Sequence, residues 1–267
     1  MSQVIVITSG KGGVGKTTTT ANLGTGLALQ GKSVVLVDTD IGLRNLDVVM
    51  GLENRIVYDL VDVVEGTCKL KQALIRDKRY EGLMLLPAAQ TRNKMDVNPA
   101  QMKTLMDELK ESFDYVLVDC PAGIEQGFQN AVAGADDAIV VTVPEVSAVR
   151  DADRIIGLLC ANGLMNARLL INRYNPNMVK KGDMLDTADI LDILGIKLLG
   201  IVPEDPGIVR SSNLGEPIVT TGAMAGQAYR NVVQRMLGEE VPLSTFQDDT
   251  GFITRMKRIF SRSRDAG

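Results

Sequence analysis

The most informative segment of this chain is Gly10-Lys11-Gly12-Gly13-Val14-Gly15-Lys16-Thr17. It fits the pattern G-x-x-x-x-G-K-[ST], and it stands between a short apolar run, Val4 to Ile7, and a helical pattern, Thr17 to Gln30. The glycines allow the backbone to curl so that successive N–H groups converge on phosphate oxygens. The positive end of the following helix adds to this attraction. Strand, loop and helix in this order predict a nucleotide phosphate site and disfavour a glycine-rich turn without a ligand.

Side chains within this phosphate loop carry specific expectations. We expect Lys16 to reach the β- and γ-phosphates and the Thr17 hydroxyl to bind Mg²⁺. The predicted nucleotide contacts run from Gly10 to Thr18. Lys11 is a second lysine, in a place where phosphate loops do not need one. It is either a solvated loop lysine or a cation delivered to a phosphate of a facing subunit.

Outward from the loop, short β-branched runs alternate with helical patterns. Because the runs are almost wholly apolar, we expect strands that are covered on both faces. The alternation predicts an α/β fold, a doubly wound and mostly parallel sheet with helices on both faces. Together with the phosphate loop, this pattern is typical of the P-loop NTPase type. The predicted strands are Val4 to Ile7, Val34 to Val37, Leu83 to Leu86, Val116 to Val118, Ala138 to Val143, Leu169 to Ile171 and Leu198 to Val202. The predicted helices include Thr17 to Gln30, Pro99 to Lys110, Val146 to Cys160 and Ala223 to Leu237.

The composition limits the kinds of site that the chain can build. It has 267 residues, 45% of them hydrophobic, which suits one sizeable α/β core. It has no histidine, so the commonest general base and the commonest transition-metal ligand are absent. Its three scattered cysteines do not resemble a disulfide framework, and a reducing cytoplasm is the default. The net charge of −4 argues against a surface coated for nucleic-acid binding.

Carboxylates follow two of the predicted strands, at the edge where an open α/β sheet binds its ligands. The second strand is followed by Asp38 and Asp40, and the fourth by Asp119. We expect Asp119 to contact Mg²⁺ through water. We expect Asp40 to lie at the same metal site and to orient the attacking water, because the chain has no histidine for that role. Asp38 stays open between this site and a cap of the following helix.

The residues after the late strands predict which base is bound. Guanine readers place N-K-x-D there, whereas this chain has Asn172-Arg-Tyr-Asn175, without the Asp. An Asn amide both donates to and accepts from the N6/N7 edge of adenine, so Asn172 favours ATP, with an ordinary turn Asn as the alternative. We expect the loop of Pro203, Glu204 and Asp205 to pack around the base through backbone contacts.

The C-terminal end differs in composition from the chain before it. Residues 239–251 predict a linker between an ATPase domain, 1–238, and a basic amphipathic membrane-targeting helix, 252–264. An apolar stripe with basic flanks is typical of a helix that lies on a membrane, and a helix docked on the protein's own core is the alternative. The residues predicted to contact lipid are Phe252, Ile253, Met256, Ile259 and Phe260 on the stripe, with Arg255, Lys257 and Arg258 beside it.

One such tail holds weakly, because a helix this short is marginal in water and must be ordered on binding. Two tails on one dimer bind the membrane more strongly than one tail by a factor of roughly 10²–10⁴, because of their high effective concentration. We therefore expect ATP to form the dimer, the dimer to double the anchors, and hydrolysis to release the protein from the membrane.

Several stretches together resemble the ParA/MinD family of deviant Walker A ATPases, and its cell-division branch above all. They are Thr8 to Thr17 with its leading Lys11, Asp40 to Asp47, Val143 to Arg154, Asn172 to Pro176, Ile201 to Asp205 and Arg210 to Pro217. The resemblance implies a Mg²⁺-dependent ATPase that forms a face-to-face homodimer around two ATPs, with Lys11 acting in trans. It also implies a cytoplasmic protein, peripheral on the inner face of the cell membrane, that recruits a MinC-like division inhibitor to select the division site.

The same resemblance implies partner contacts at Asp151, Asp153 and Arg154, in the helix after the fifth strand. A MinE-like or other topological factor would regulate the protein, and no specific nucleic-acid partner is expected.

Other functions share parts of these patterns. A DNA-partition ATPase needs a basic surface for duplex DNA, and a flagellar-placement ATPase can also carry a membrane helix. An electron-transfer reductase of the nitrogenase iron-protein type needs paired cysteines at a dimer interface, which Cys120 and Cys160 do not match in spacing. A binding module without turnover is the last alternative, and Asp40→Ala separates it from an enzyme.

Overall fold

An eight-stranded sheet forms the centre of the computed structural model, which describes residues 2–243. Strand β3 pairs antiparallel with β4, and every other neighbouring pair is parallel. In chain order the strands are β1 (Gln3–Thr8), β2 (Val34–Asp38), β3 (Ile75–Arg76), β4 (Leu83–Leu86), β5 (Tyr115–Asp119), β6 (Asp137–Thr142), β7 (Arg168–Tyr174) and β8 (Lys197–Pro203). Their order across the sheet is β3-β4-β2-β5-β1-β6-β7-β8.

Helices connect the strands and cover both faces of the sheet. They are α1 (Lys16–Leu29), α2 (Leu46–Val49), α3 (Leu60–Val64), α4 (Leu70–Ala73), α5 (Pro99–Lys110), α6 (Gln126–Val132), α7 (Val146–Ala161), α8 (Pro176–Lys181), α9 (Thr187–Leu194), α10 (Gly207–Asn213) and α11 (Met224–Met236). Side chains that alternate along β1 enter two separate cores, with Val4 and Val6 in one and Ile5 and Ile7 in the other. The doubly wound, mostly parallel α/β fold is confirmed.

Each predicted strand is present, with ends that differ by a few residues. Strand β3 was not predicted, because its two residues are too few to show a pattern. The strand β7 is longer than the apolar run, since it continues through Asn172 and Arg173 to Tyr174. Its pairing with β8 is irregular between Ile171 and Tyr174, which changes the direction of the side chains at its carboxyl end.

Helix α1 carries the phosphate loop at its start and is buried along most of its length. Its sequence is rich in threonine, alanine and glycine, which lets neighbours approach closely. A Cβ on Gly24 would lie 2.2 Å from Leu36 Cδ2, and a Cβ on Gly26 would lie 2.7 Å from Val233 Cγ2. Small residues therefore fix α1 between β2 and α11, and with it the position of the loop.

The chain after α11 turns back toward the sheet. Arg235 donates from Nε to Val241 O at 2.9 Å and from Nη2 to Pro242 O at 2.7 Å. These residues are the first part of the predicted linker, while the rest of it and the predicted helix 252–264 lie outside the described residues. Within residues 2–243, no helix combines the length and apolar composition that crossing a bilayer requires.

Candidate functional site

The phosphate loop joins β1 to α1 at the carboxyl edge of the sheet. Gly13 and Gly15 have φ angles of 77° and 99°, a left-handed conformation that favours glycine, and Gly15 is the residue before the first turn of α1. A Cβ on Gly10 would lie 2.3 Å from Asp151 O, so α7 packs directly on the loop backbone. The glycines thus serve two purposes, since some permit the curl of the loop and Gly10 permits the approach of α7.

Lys16 folds inside the loop. It is 8% exposed, and its Nζ donates to Ser9 Oγ at 3.0 Å. The Ser9 hydroxyl in turn donates to Lys11 O at 2.8 Å, which closes the loop on itself. A buried ammonium group at the start of a helix, with a hydroxyl partner, is well placed to receive phosphate oxygens.

Lys11 points away from that centre. Its Nζ forms an ion pair with Glu145 Oε2 at 2.9 Å and lies 3.4 Å from Ser147 Oγ, at the start of α7. Both charged side chains are about half exposed, at 42% and 56%. An exposed pair of this kind contributes little to stability, so Lys11 can exchange its partner at low cost.

Asp119 ends β5 directly below the loop and is 2% exposed. Burial, with the nearby charge of Asp38, raises the pKa of Asp119 to about 7, although hydrogen bonds from Thr17 and Thr20 and the charge of Lys16 lower it. The Thr20 hydroxyl lies 3.3 Å from Asp119 Oδ1. The structure therefore brings the predicted metal residues Thr17 and Asp119 into contact.

Asp38 organises the segment that carries Asp40. Its Oδ1 accepts from the Asp40 N–H at 2.9 Å, and its Oδ2 accepts from the Leu46 N–H, at the first residue of α2, at 3.1 Å. Burial raises the pKa of Asp38 to about 6. These contacts favour the capping alternative for Asp38. Asp40 itself is partly exposed beside this buried pair, at the carboxyl edge of β2.

The residues of this centre fit a magnesium nucleotide. Burial disfavours the charge on Asp119 and Asp38, so a cation held next to them would be stabilised. Mg²⁺ in proteins is commonly held by one or two side chains together with phosphates and water, which suits Thr17 and Asp119. Among residues 2–243 no cluster of three or more His, Cys, Asp or Glu side chains could hold a metal ion by itself.

Asn172 lies behind the phosphate loop, at 3% exposure. Its Nδ2 donates to Val14 O at 2.8 Å, and its Oδ1 accepts from the Arg173 N–H at 2.9 Å. A Cβ on Gly15 would collide with this amide at 2.3 Å. The amide oxygen accepts one hydrogen bond and has a second lone pair, so the predicted contact with the N6/N7 edge of adenine stays a prediction. An amide nitrogen carries two N–H groups, so the second one can still serve a ligand.

A cavity of about 580 Å³ lies at the carboxyl edge of β7 and β8. Its lining combines charged and apolar side chains, namely Arg173, Asn175, Glu204, Asp205, Pro206, Ile208 and Val209. Arg173 has a φ of 53°, which is uncommon for a residue other than glycine and is often found at functional sites. Two residues of the predicted base loop, Glu204 and Asp205, thus line this cavity.

Asp205 has a structural part as well. Its Oδ1 accepts from the Gly207 N–H at 2.8 Å, and its Oδ2 accepts from the Ala225 N–H at 3.2 Å, so it caps the starts of α10 and α11. Pro203 is buried at the end of β8. Base contacts from this loop would therefore come from its backbone.

The three predicted partner residues all lie on α7. Asp153 and Arg154 are exposed, whereas Asp151 is partly buried and its backbone packs against Gly10. A partner that docks on this helix would therefore meet Asp153 and Arg154 first.

Three residues that contact the predicted site were not themselves predicted. Ser9 accepts from Lys16, the Thr20 hydroxyl lies against Asp119, and Glu145 pairs with Lys11. Ser9 stands just before the loop and Thr20 follows Lys16 by one turn of α1, so neither belongs to the motif itself. Glu145 lies 134 positions beyond Lys11, and no sequence pattern links it to the loop.

Three comparisons with known proteins identify the family of this chain. The model of the CobQ/CobB/MinD/ParA nucleotide binding domain matches residues 5–218. The septum site-determining protein MinD of Bacillus subtilis (strain 168) is 59% identical over 264 residues, which cover 97% of this chain and 98% of that protein.

Solved structures give the same result. MinD in the MinC:MinD cell division protein complex of Aquifex aeolicus has a TM-score of 0.86 at 51% identity, covering 92% of this chain and 100% of that chain. The septum site-determining protein MinD of Pyrococcus horikoshii OT3, complexed with Mg-ADP, has a TM-score of 0.80 at 30% identity, covering 88% of this chain and 96% of that chain. A chain that matches septum site-determining proteins over nearly its whole length belongs to the MinD branch of the CobQ/CobB/MinD/ParA nucleotide-binding family.

Proposed function

We propose that this chain is a Mg²⁺-dependent ATPase of division-site selection whose ATP-bound form is a dimer. One observation supports the dimer above all: the two lysines of the phosphate loop point in different directions. Lys16 Nζ lies inside on Ser9, whereas Lys11 Nζ lies outside on Glu145. A lysine that turns away from its own phosphate site is placed to serve the site of a facing subunit.

The division of labour in the site follows from the contacts. The loop N–H groups and Lys16 would hold the phosphates, and Thr17 with Asp119 would hold Mg²⁺, which supplies charge neutralisation when bound. Asp40, held at its backbone by Asp38, would orient the attacking water. Lys11 of the second subunit would stabilise the charge that develops on the transferred phosphoryl group.

The cavity beside β7 and β8 is the proposed base site. Asn172 can offer one N–H to a ring nitrogen of adenine while its oxygen stays on the Arg173 N–H. The apolar side chains of Ile208 and Val209 can pack on a face of the base. The relative solved with Mg-ADP supports an adenine nucleotide as the ligand.

Membrane binding through residues 252–264 remains a proposal from the sequence. With this membrane contact, the protein would be peripheral on the inner face of the cell membrane. The relative solved in complex with MinC supports a MinC-like division inhibitor as a partner, and a MinE-like factor is proposed as the regulator. Asp153 and Arg154, which are exposed on α7, are the proposed contacts for such partners.

Lys11→Ala tests the dimer. We expect the variant to bind Mg-ADP normally, to stay monomeric with a non-hydrolysable ATP analogue in light scattering, and to lose at least about 10²-fold in turnover. Lys103→Ala, which removes an exposed lysine that pairs with Asp107, is the matched control and should behave as wild type. Full dimerisation and turnover by Lys11→Ala would overturn the proposal.

Vesicle co-sedimentation tests the membrane part. The full chain should bind anionic vesicles more strongly with the ATP analogue than with ADP, and a chain that ends before residue 252 should not bind with either. Equal binding of the full chain with both nucleotides would contradict the switch while leaving the ATPase intact.

A further inference from the structure

The turn that follows α2 and the turn that follows α10 cross each other in direct contact. The crossing residues are Gly51 and Gly215, with φ angles of 62° and 66°. A Cβ on Gly215 would lie 2.5 Å from Gly51 Cα, and a Cβ on Gly51 would lie 3.2 Å from Gly215 O. Because neither position has room for a side chain, the two turns meet backbone to backbone, with their carbonyl groups close together.

Arg79, in the turn between β3 and β4, joins the two turns. Its Nη1 donates to Gly215 O at 2.7 Å, and its Nη2 donates to Met50 O. The same guanidinium pairs with Asp77, at 3.0 Å from Nε to Oδ1 and 2.6 Å from Nη2 to Oδ2. Asp77 is 1% exposed, so the ion pair is anchored inside the protein. A planar group with five donors is suited to hold a carboxylate and two carbonyls at once.

On one side, this clamp holds the segment that carries Asp40. Asp38 accepts hydrogen bonds from the N–H groups of Asp40 and Leu46, which tie both ends of residues 40–46 to β2. Leu46 and Met50 are fully buried at either end of α2. Hydrogen bonds to Asp38 and the burial of Leu46 and Met50 therefore hold the segment from Asp40 to Met50 in place. Its last carbonyl is bound by Arg79.

On the other side, the clamp holds α10. This helix contributes Ile208 and Val209 to the proposed base cavity and begins at the N–H group that Asp205 caps. Its C-terminal turn ends at Gly215, whose carbonyl is bound by Arg79. The guanidinium thus binds the carbonyl of Gly215, in the turn after α10, and the carbonyl of Met50, at the end of the Asp40 segment.

We propose that Arg79 is a positioning residue that couples the base site at α10 to the placement of Asp40. A base packed on α10 orders its C-terminal turn, Arg79 transmits that order from Gly215 O to Met50 O, and α2 carries it to residues 40–46. This coupling rests on the proposed function, because it requires the cavity beside α10 to take the base.

Hydrogen exchange of the full chain, with and without saturating Mg-ADP, tests the coupling in wild type and in Arg79→Lys. A lysine keeps the charge but cannot hold Asp77 and both carbonyls together. In wild type, Mg-ADP should slow exchange in residues 10–17, 206–216 and 40–51. In Arg79→Lys the slowing should persist in the first two segments, while the slowing in residues 40–51 should fall by about tenfold, within the range of typical coupling between sites.

Arg55→Lys is the matched control, because Arg55 donates to Arg76 O in the same region and should leave the pattern unchanged. A purely structural role for Arg79 would change exchange equally with and without Mg-ADP, and that result would overturn the proposal. So would slowing in residues 40–51 that is the same in wild type and variant. If Arg79→Lys does not fold, Asp77→Asn, which keeps the guanidinium but weakens its anchor, should give a smaller loss in the same segment.

The same experiment distinguishes a wrong base site from a wrong coupling. If Mg-ADP does not slow exchange in residues 206–216 of wild type, the cavity is not the base site and the coupling falls with it. If those residues are protected but residues 40–51 do not respond through Arg79, the base site stands and only the coupling is refuted.

Discussion

The buried carboxyl pair should make the metal-free, nucleotide-free protein less stable as the pH rises, and Asp119→Asn should remove most of that loss. Burial, then the charge of Asp38, raises the pKa of Asp119 from its ordinary 3.8 to about 7. Between these values the folded chain binds more protons than the unfolded chain. The free energy of unfolding therefore falls as the pH rises from about 4 to 7, and levels off above that.

The magnitude follows from the shift. Roughly three pKa units at about 1.36 kcal/mol each correspond to about 4 kcal/mol. This is a large part of the roughly 5–15 kcal/mol that stabilises a typical domain. The chain has no histidine, the side chain whose ordinary pKa lies in this window, and Asp38, whose burial raises its pKa to about 6, accounts for the smaller loss that persists in the variant. Asparagine keeps the shape of the protonated carboxyl, and its oxygen can still accept from Thr20.

Urea unfolding in EDTA at pH 5, 6, 7 and 8 measures the effect. Wild type should lose about 2–4 kcal/mol between pH 5 and 8, and Asp119→Asn should lose about 1 kcal/mol or less. Asp107→Asn, at an exposed carboxylate paired with Lys103, is the control and should keep the wild-type slope. A wild-type free energy of unfolding that is flat or rises over this range would contradict a raised pKa at Asp119.

Three further predictions concern the stability of the fold, and Gly12→Ala is the control for the first of them. Gly10→Ala should destabilise the fold by at least about 1–3 kcal/mol in thermal unfolding, because its Cβ would lie 2.3 Å from Asp151 O, whereas Gly12→Ala, with its nearest atom at 3.8 Å, should leave the melting temperature unchanged. Asn172→Ala should cost about 1–3 kcal/mol in urea unfolding, because the Val14 carbonyl loses its buried donor. Asp205→Ala should cost about 1–2 kcal/mol for each of the two helix starts it caps, measured in the same way.

The fold was largely predictable because its strands are apolar on both faces. Runs such as Val34 to Val37 lie wholly inside a parallel sheet, and few other structures accommodate them. The failures lie where local patterns are too short. Strand β3 has two residues, and its place at the edge of the sheet depends on pairing with Leu85 and Met84, further along the chain. Such pairing leaves no periodic signal in the sequence.

The site was predictable where one segment holds both the motif and its chemistry, as in the phosphate loop. The direction of a side chain was not. Asn172 stands after a late strand as predicted, yet its amide oxygen accepts from the Arg173 N–H and its Nδ2 donates to Val14 O. The pairing of β7 with β8 is irregular at this point, and the motif carries no trace of that irregularity. Arg79 was not predicted, because both of its carbonyl partners, Gly215 and Met50, come from distant segments of the chain.

Helix α7 links the proposed partner surface to the phosphates more directly than the sequence indicated. Its start holds Lys11 through Glu145 and Ser147, and its second turn packs the backbone of Asp151 on Gly10. The exposed Asp153 and Arg154 follow on the same helix. Because a packed interior transmits small displacements rather than absorbing them, a partner that moves α7 must also move the loop or break its contacts. A displacement of this helix would therefore reach the phosphate loop through its contacts with Gly10 and Lys11.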